Sequence, residues 1–248
     1  MNAMILAAGH GTRLRPLTDT LPKVLVPVLG VPMLERLRCW LARGGVTRLA
    51  MNTHHRAGAV RAHLAAGEGR PLVRLFHEPA LLGTGGALRN AAPCWEAEPL
   101  LVWNGDILAD VAPRTLWEAH AATGVLATLA VQAREHDSRL LVDAVGAVCG
   151  IDSARRGTRR VVGTPGEPLR PMAFLGISVL SPALRAHMPP GGAFGLIEVM
   201  LDAVAAGGAV RSWDVGAAFY GTTGTPQALV ALEAGLLARP ALLAAWTP

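Results

Sequence analysis

Two glycines and two cations follow the first apolar run of the chain. Gly9 and Gly11 come directly after the apolar residues 3–8, and Arg13 and Lys23 stand close behind them. Glycines after a buried strand let backbone N–H groups approach phosphate oxygens, and the two cations would neutralise phosphate charge. The spacing lacks the third glycine of a dinucleotide fingerprint, and no Gly-Lys-Ser/Thr of a Walker A loop follows. The segment predicts a triphosphate or sugar-phosphate site rather than a plain turn with solvated arginines.

A carboxylate follows a second apolar run. Asp106 closes Asn104-Gly105-Asp106 at the end of a predicted strand, and Asp110 stands a little further on. Carboxylate oxygens suit Mg²⁺, which proteins hold through one or two carboxylates plus substrate phosphates. The alternative, a turn-forming or helix-capping role for Asp106, loses weight beside the Gly-Arg-Lys segment. The histidines match no zinc spacing and are expected on the surface or at the rim of a ligand site.

The elements that position these residues alternate between strand and helix. Strands are predicted at residues 3–8, 48–52, 72–77 and 100–104, and helices at 32–43, 56–65, 86–92 and 114–121. Such alternation implies right-handed crossovers and a mostly parallel mixed sheet flanked by helices, an α/β, Rossmann-like fold. The glycines of residues 83–86 either begin a helix through a tight turn or contact a ligand.

The second half of the chain has a different pattern. A strand is predicted at 125–131, antiparallel hairpins at 140–151, a strand at 172–180, a helix at 196–206, a strand at 210–215 and a last helix at 226–237. No linker separates the halves. We therefore expect a single domain over 1–248 with a small β-rich second lobe, and ligands beyond the carboxyl ends of the strands.

Charge and composition narrow the classes of protein. The 248 residues carry a net charge of +5, and Lys23 is the only lysine among 23 basic residues. The basic residues are spread out, and the one dense group, Arg155, Arg156, Arg159 and Arg160, falls in a Gly/Thr/Pro-rich loop or hairpin. We expect neither a nucleic-acid surface nor a membrane span. Three cysteines that cannot all pair favour the cytoplasm. Nothing in the sequence predicts an oligomeric state.

Residues 9–27 resemble the signature of the sugar-1-phosphate nucleotidyltransferases, G-x-G-T-R-x-x-P-x-T followed by P-K-x-x-x-P. Two further matches stand in the family's order, Leu82-Gly83-Thr84-Gly85-Gly86-Ala87 and Asn104-Gly105-Asp106, and a later one is Phe174-Leu175-Gly176-Ile177-Ser178-Val179-Leu180. The resemblance covers most of the chain. Within the family, the short length makes the chain most similar to bacterial N-acetylmuramate 1-phosphate uridylyltransferases and to heptose or mannose 1-phosphate guanylyltransferases.

The resemblance implies a nucleotide-diphospho-sugar transferase fold, with a nucleotide-binding half at 1–123 and a sugar-binding half at 124–248. It implies transfer of a nucleoside monophosphate from a nucleoside triphosphate to a sugar 1-phosphate, with Mg²⁺ as cofactor and a role in cell-envelope polysaccharide synthesis. The implied catalytic residues are Arg13, Lys23 and Asp106. The implied nucleotide contacts are Leu6, Ala8, Gly9, Gly11, Thr12, Arg13, Lys23, Glu78 and Gly85, with Asn104 and Gly176 on the sugar side.

One position departs from the family pattern. The family places a second metal-binding Asp in Trp-x-Asp-x-Gly-Thr, whereas this chain has Tyr220-Gly221-Thr222-Thr223-Gly224-Thr225, so that Thr222 stands at the metal position. Asp214 lies too early to align, and Arg170 is a weak candidate for the second basic residue that some members place before the sugar-pocket strand. A hydroxyl adds no charge to a metal site. A nucleotide-sugar binding or regulatory module is therefore the alternative, and a phosphocholine cytidylyltransferase with Tyr220 or Trp103 in its pocket is a third.

Overall fold

The computed structural model describes residues 1–67 and 71–248, and for Arg156 it describes the backbone alone. In that part of the chain the strands are β1 (Asn2–Leu6), β2 (Pro27–Val28), β3 (Val31–Pro32), β4 (Arg48–Thr53), β5 (Val73–His77), β6 (Leu100–Asn104), β7 (Ile107–Ala109), β8 (Ala127–Gln132), β9 (Ser138–Val142), β10 (Val148–Ser153), β11 (Thr158–Val161), β12 (Arg170–Leu180), β13 (Val210–Asp214) and β14 (Tyr220–Thr222). The helices are α1 (Leu17–Thr20), α2 (Met33–Arg43), α3 (Ala57–Ala66), α4 (Gly83–Asn90), α5 (Pro113–Ala121), α6 (Leu196–Ala205), α7 (Pro226–Leu237) and α8 (Pro240–Ala245).

The strands and helices predicted from sequence periodicity are all present, most with small shifts at their ends. Two have the predicted bounds, β6 and α7. The prediction that α7 is the last helix was wrong, because α8 follows it. The short strands β2, β3, β7 and β14 were not predicted, since two or three residues carry too little periodicity. Of the two readings of the arginine-rich segment, a loop or a hairpin, the hairpin is present, because β11 pairs antiparallel with β10.

The chain divides into two compact units. The first unit contains Met1–Leu81, Trp103–Pro113 and Phe219–Pro248, and the second contains Leu82–Val102 and Arg114–Ala218. Both units therefore combine residues from before and after position 123.

Parallel strands form the sheet of the first unit. Met4 of β1 lies opposite Ala50 of β4, and Met51 of β4 lies opposite Leu75 of β5. Parallel strands are usually buried on both faces, which explains why β1 and β4 read as continuous apolar runs. The sequence showed this as the run that ends before Gly9.

The sheet of the second unit is mixed. Strand β12 pairs antiparallel with both β8 and β9, β9 and β11 pair antiparallel with β10, and β13 pairs parallel with β8. The predicted hairpin is confirmed as β9 and β10, whose turn is closed by the buried Asp143 carboxylate, a hydrogen-bond acceptor for the backbone N–H of Val145 and Ala147. These antiparallel pairs account for the β-rich pattern of the second half.

The C-terminal segment is anchored inside the first unit. The Trp246 ring is fully buried and stacks on Trp40, with 4.5 Å between ring centroids. On the same helix as Trp40, the buried Arg36 donates from Nε and a terminal nitrogen to the carbonyl of Val28, at 2.9 and 2.8 Å. Burial lowers the pKa of Arg36, and the nearby Glu233 carboxylate opposes that shift. Among residues 1–67 and 71–248, no helix combines the length and apolar character needed to cross a bilayer.

Candidate functional site

The loop after β1 takes its shape from contacts within the first unit. Leu14 is fully buried and ends a 3₁₀ turn, Thr12–Leu14, that follows Gly11. Gly11 has a φ of +67°, a backbone conformation that residues with a side chain rarely adopt. Its carbonyl accepts a 2.8 Å hydrogen bond from Thr18 Oγ1. A Cβ on Gly11 would lie 2.8 Å from Thr18 Cγ2. Glycine is therefore required here by the protein itself.

Lys23 is held beside this loop by the apolar residues that follow it. Val24, Leu25 and Val26 are buried, and Lys23–Leu25 forms a 3₁₀ turn. The Lys23 Cβ lies 3.3 Å from the point where a Cβ on Gly11 would stand. Its ammonium forms an ion pair with Asp106, and both side chains stay partly accessible, at 16% and 25%. The lone lysine of the chain thus pairs with the predicted metal ligand.

Asp106 is positioned by a close approach between two strand ends. The backbone N–H of Gly105 donates to the Leu6 carbonyl at 2.8 Å, and a Cβ on Gly105 would lie 2.9 Å from that same oxygen. The glycine in Asn-Gly-Asp therefore lets Asp106 reach the end of β1. Asp110 lies at the other end of β7. At the usual rise of a strand, the backbones of Asp106 and Asp110 are about 13 Å apart, so the two carboxylates do not converge.

The hairpin of β7 and β14 brings the Thr222 segment to Asp106. Thr222 lies opposite Ile107, and the next backbone N–H, that of Thr223, donates to the Asp106 carbonyl at 2.9 Å. Thr222 Oγ1 accepts from the Gly224 N–H at 3.1 Å. The Thr223 hydroxyl is fully buried and has no hydrogen-bond partner among the described residues. Thr222, which the resemblance aligns with the family's second metal-binding Asp, therefore lies in a segment that pairs with the backbone beside Asp106.

Arg13 extends to this same hairpin. One terminal nitrogen of its guanidinium lies 3.7 Å from the point where a Cβ on Gly224 would stand, and Thr222 Oγ1 lies 3.4 Å from that point. Arg13, Lys23, Asp106 and Thr222 thus occupy one region of the first unit. The sequence predicted the members of this group but not that Arg13 lies near Gly224.

These side chains fit a magnesium ion that is held together with phosphate. Within residues 1–67 and 71–248, no group of three or more His, Cys, Asp or Glu side chains could hold a metal. Asp106 and Thr222 offer one carboxylate and one hydroxyl, both hard oxygen donors. Mg²⁺ takes one or two carboxylates and completes its shell with phosphate and water, whereas zinc requires a denser set of protein ligands.

Glu78, predicted as a nucleobase contact, lies in a buried polar chain. Its carboxylate is 1% exposed and accepts from Asn52 Nδ2 at 2.8 Å, while Asn52 Oδ1 accepts from the Ala7 backbone N–H at 2.7 Å. Leu6 and Ala8 flank Ala7. Asn52 was missed as a positioning residue, although a polar residue at the end of the apolar run 49–51 was the available signal.

Three histidine rings surround the start of the loop. The His10 ring lies 5.2 Å from that of His54 and 5.6 Å from that of His55, centroid to centroid. His54 Nδ1 is 2.8 Å from the Glu78 carbonyl, and because a carbonyl can only accept, Nδ1 carries the proton. His63 lies elsewhere, paired with Glu35 at 2.9 Å.

Gly85 lies in α4 of the second unit and is packed against Phe194. The backbone N–H of Gly85 donates to the Phe194 carbonyl at 3.0 Å, and a Cβ on Gly85 would lie 2.5 Å from the Phe194 ring. Thr84 Oγ1 accepts from the Leu196 N–H at 2.9 Å. The glycines of residues 83–86 therefore begin a helix and admit the Phe194 segment, and the predicted contact with a ligand stays a prediction.

The two sugar-side candidates occupy different units. Gly176, in the second unit, is buried with a φ of +72°, at the point where the register between β12 and β8 shifts. Asn104 is half-buried at the end of β6 in the first unit. Its neighbour Trp103 is fully buried and donates to the Ile107 carbonyl at 3.0 Å, so it offers no face to a quaternary ammonium.

Comparison with known proteins identifies the family. The model of the family described as nucleotidyl transferase matches residues 2–140. N-acetylmuramate alpha-1-phosphate uridylyltransferase of Neisseria meningitidis serogroup B is 40% identical over 115 residues, 45% of this chain and 49% of that protein. The enzyme of the same name from Caulobacter vibrioides is 31% identical over 243 residues, 94% of this chain and 96% of that protein. The match thus spans about half of the first relative and nearly all of the second.

Solved structures show the same fold. The crystal structure of HddC from Yersinia pseudotuberculosis has a TM-score of 0.76 at 23% identity, covering 94% of this chain and 98% of its own. The inositol-1-phosphate CTP transferase from T. maritima has a TM-score of 0.72 at 20% identity, covering 94% and 95%. These likenesses confirm the predicted α/β fold. Since the family model matches more than half of the sequence and one relative matches it almost end to end, the chain belongs to the nucleotidyl transferase family.

Proposed function

We propose that this nucleotidyltransferase moves a nucleoside monophosphate from a nucleoside triphosphate to a sugar 1-phosphate, releasing pyrophosphate, with Mg²⁺ as cofactor. The observation that carries the proposal is the ion pair between Lys23 and Asp106 beside the glycine loop. A cation and a metal-ligating carboxylate next to exposed backbone N–H groups suit a reaction between two phosphates.

The loop binds the triphosphate through backbone and charge. Gly9, Gly11 and Thr12 present backbone N–H groups on an exposed or half-buried segment after β1. The Arg13 guanidinium draws the β- and γ-phosphates toward the Thr222 turn. Leu14 and Thr18 are buried and hold the loop in one conformation. The loop therefore loses little conformational freedom when a phosphate binds.

Lys23 exchanges one partner for another when substrate binds. In the free protein its ammonium neutralises Asp106. An incoming α-phosphate offers the ammonium a second anion, and its flexible four-carbon stem lets it turn from carboxylate to phosphate. Asp106 and Thr222 would then hold Mg²⁺, which neutralises charge on the phosphate oxygens when bound.

The chemical step needs no covalent intermediate and no general base. A phosphate oxygen of the sugar 1-phosphate attacks the α-phosphorus in line, the bond from that phosphorus to the bridging oxygen breaks, and pyrophosphate leaves with the electron pair. The attacking oxygen is already anionic, so no proton has to be removed. Lys23 contributes by holding the two phosphates together and by stabilising the negative charge on the oxygens around the pentacoordinate phosphorus of the transition state.

The relatives support a sugar 1-phosphate as acceptor. Three of the relatives are named N-acetylmuramate alpha-1-phosphate uridylyltransferase, UTP--glucose-1-phosphate uridylyltransferase and mannose-1-phosphate guanyltransferase. They differ in base and sugar, while the phosphates are common to all of them. The loop, Lys23 and Asp106 serve this shared part of the substrates.

Pyrophosphate release with a panel of substrates tests the proposal. Five nucleoside triphosphates are each combined with N-acetylmuramate, mannose, glucose and heptose 1-phosphates, with Mg²⁺ and with EDTA. We expect turnover of about 1 s⁻¹ or faster for at least one pair, abolished by EDTA and by Asp106→Asn. Melting shifts with these ligands but no turnover in any combination would overturn the enzymatic proposal.

Thr222 favours a second candidate function, a nucleotide-sugar binding module with weak catalysis. Its hydroxyl accepts from the Gly224 N–H and contributes no charge beside Asp106. Thr222→Asp tests this, since a carboxylate can accept the same N–H and adds a charge for Mg²⁺. We expect the Mg²⁺ concentration for half-maximal turnover to fall about tenfold, measured by titration of Mg²⁺ in the same assay. An unchanged Mg²⁺ dependence would show that Thr222 does not limit metal binding.

A further inference from the structure

A small cavity in the second unit is lined by residues that are not among the candidate site residues described above. It has a volume of about 190 Å³ and is lined by Arg89, Ala92, Arg185 and Met188. Liquid water occupies about 30 Å³ per molecule, so the space exceeds what one or two bound waters need. Two walls are cationic and two are apolar.

In the part of the chain that the structure describes, the two arginines have no counter-charge. Arg89 donates from Nε to the Pro190 carbonyl at 3.0 Å and from one terminal nitrogen to the Met188 carbonyl at 3.5 Å. Arg185 donates to the carbonyls of Pro182 and Glu96, at 3.4 and 3.1 Å. Within the described residues, no carboxylate lies within ion-pair distance of either guanidinium. Each has one terminal nitrogen that makes no hydrogen bond to another described residue.

Packing holds Arg185 in place. Its guanidinium lies 5.8 Å from the centroid of the Trp95 ring, and that ring is 1% exposed and fixed by a 3.0 Å hydrogen bond from Nε1 to the Leu88 carbonyl. Two positioned guanidiniums that line one cavity offer donors to the oxygens of a phosphate dianion. We propose that this cavity binds a small phosphorylated metabolite, with the phosphate on Arg89 and Arg185 and the organic part against Met188 and Ala92.

The cavity is connected to the loop at residues 83–86 by one short segment. Arg89 lies on α4, which begins with that loop, and the carbonyls that it holds belong to residues 188 and 190. The segment that contains residues 188 and 190 continues to Phe194, whose backbone carbonyl accepts hydrogen bonds from the N–H groups of Gly85 and Gly86. A phosphate that draws Arg89 away from the Pro190 carbonyl would therefore alter this contact. The coupling to nucleotide affinity rests on the proposed function, whereas binding itself does not.

Nuclear magnetic resonance of the indole groups reports the binding directly. The chain has six tryptophans, so the Trp95 indole signal can be assigned with Trp95→Phe. We expect inorganic phosphate to shift this signal saturably in the low millimolar range, and glycerol 3-phosphate to do so at lower concentration because its carbon chain contacts Met188. No shift at 50 mM of either ligand, roughly ten times that range, would overturn the proposal.

Arginine variants separate this cavity from the phosphate loop of the first unit. Arg89→Met and Arg185→Met each abolish the Trp95 shift, whereas Arg159→Met, an exposed arginine of the same unit, leaves it intact. Lys23→Met also leaves it intact, because Lys23 belongs to the first unit. If either variant melts early, Arg89→Lys or Arg185→Lys keeps the charge without the fork, and binding weakens at least fivefold. Equal titration curves in wild type and arginine variants would contradict the assignment.

Nucleotide affinity tests the coupling. The dissociation constant of the preferred triphosphate is measured with and without saturating glycerol 3-phosphate, and we expect at least a fivefold change in wild type and none in Arg89→Met. An unchanged constant in wild type would overturn the coupling while leaving the site. Failure of every triphosphate to bind would instead contradict the proposed function, and the Trp95 titration would still decide on the cavity.

Discussion

Two glycine-rich segments of this chain look alike in sequence, but Gly83 and Gly85 in one and Gly9 in the other differ in the space around them. At residues 83–86 the protein itself excludes side chains, since a Cβ on Gly83 would lie 2.6 Å from the Phe194 carbonyl oxygen and one on Gly85 would meet the Phe194 ring. At Gly9, in the loop after β1, a Cβ would meet no atom within 4 Å, and the backbone is not left-handed.

Open space beside a glycine and close packing against it have different consequences. Glycine in 83–86 is explained by the neighbouring chain, so its presence alone says little about a ligand. Among the described residues nothing packs against position 9, so the backbone there is open to a ligand that approaches closely. The same contrast holds for charge, because the first loop is accompanied by Arg13 and Lys23, while 83–86 carries no charged side chain.

Lys23→Arg gives the largest expected effect and tests the charged loop. The guanidinium keeps the positive charge and can still pair with Asp106, but its planar fork cannot take the place of a compact ammonium between two phosphates. We expect turnover to fall at least about 100-fold, or roughly 2.7 kcal/mol, in the pyrophosphate assay. The melting temperature serves as the control and stays within about 2 °C of wild type. Full turnover would make the lone lysine an accident of composition.

Gly83→Ala tests the packed loop. Gly83 has a φ of +70°, and the added Cβ would press on backbone that cannot rotate away. Strain and overpacking together cost about 2 kcal/mol of the free energy of unfolding, measured by urea denaturation. A stability equal to wild type would show that the Phe194 segment yields easily, and the contrast between the loops would then disappear.

Gly9→Ala is the matched variant in the first loop. Because the space around Gly9 is open, we expect no loss of stability by urea denaturation, and a small gain is consistent with reduced freedom of the unfolded chain. Triphosphate affinity, measured by calorimetry, falls about tenfold, or 1.4 kcal/mol, since the methyl group blocks close approach of the phosphates. Undiminished affinity would remove the ligand explanation for this glycine.

Thr223→Val gives the smallest expected effect and examines the cost of polar groups near Asp106. The Thr223 hydroxyl is buried without a partner among the described residues, whereas the backbone N–H groups of Gly85 and Gly86 are bonded to Phe194. Replacing an unpartnered hydroxyl by a methyl group of similar size raises the free energy of unfolding by about 1 kcal/mol, measured by urea denaturation. A destabilised variant would reveal a hydrogen bond to that hydroxyl in solution.

Much of the fold was predictable because its main elements are long and strongly patterned. Continuous apolar runs marked β1, β4 and β6, and helical spacing between Pro32 and Gly44 marked α2. The short pairs β7 and β14 could not be predicted, since their partners are about 110 residues apart and three residues carry no periodicity. Helix α8 was not predicted because a segment of six residues is too short to form a stable helix alone, and it is held here by the burial of Trp246 against Trp40.

The family and the chemistry of the loop follow from one short stretch of sequence, since Gly9, Gly11, Arg13 and Lys23 all lie in it. Which side chains meet depends on the packing of segments that are distant along the chain. Asp106 reaches Lys23 because Gly105 lets β6 approach β1, and Asp110 does not because a strand separates it from Asp106. A pattern along the chain records what each residue can do chemically, but distances between residues far apart in sequence are set by the packing of the elements that carry them.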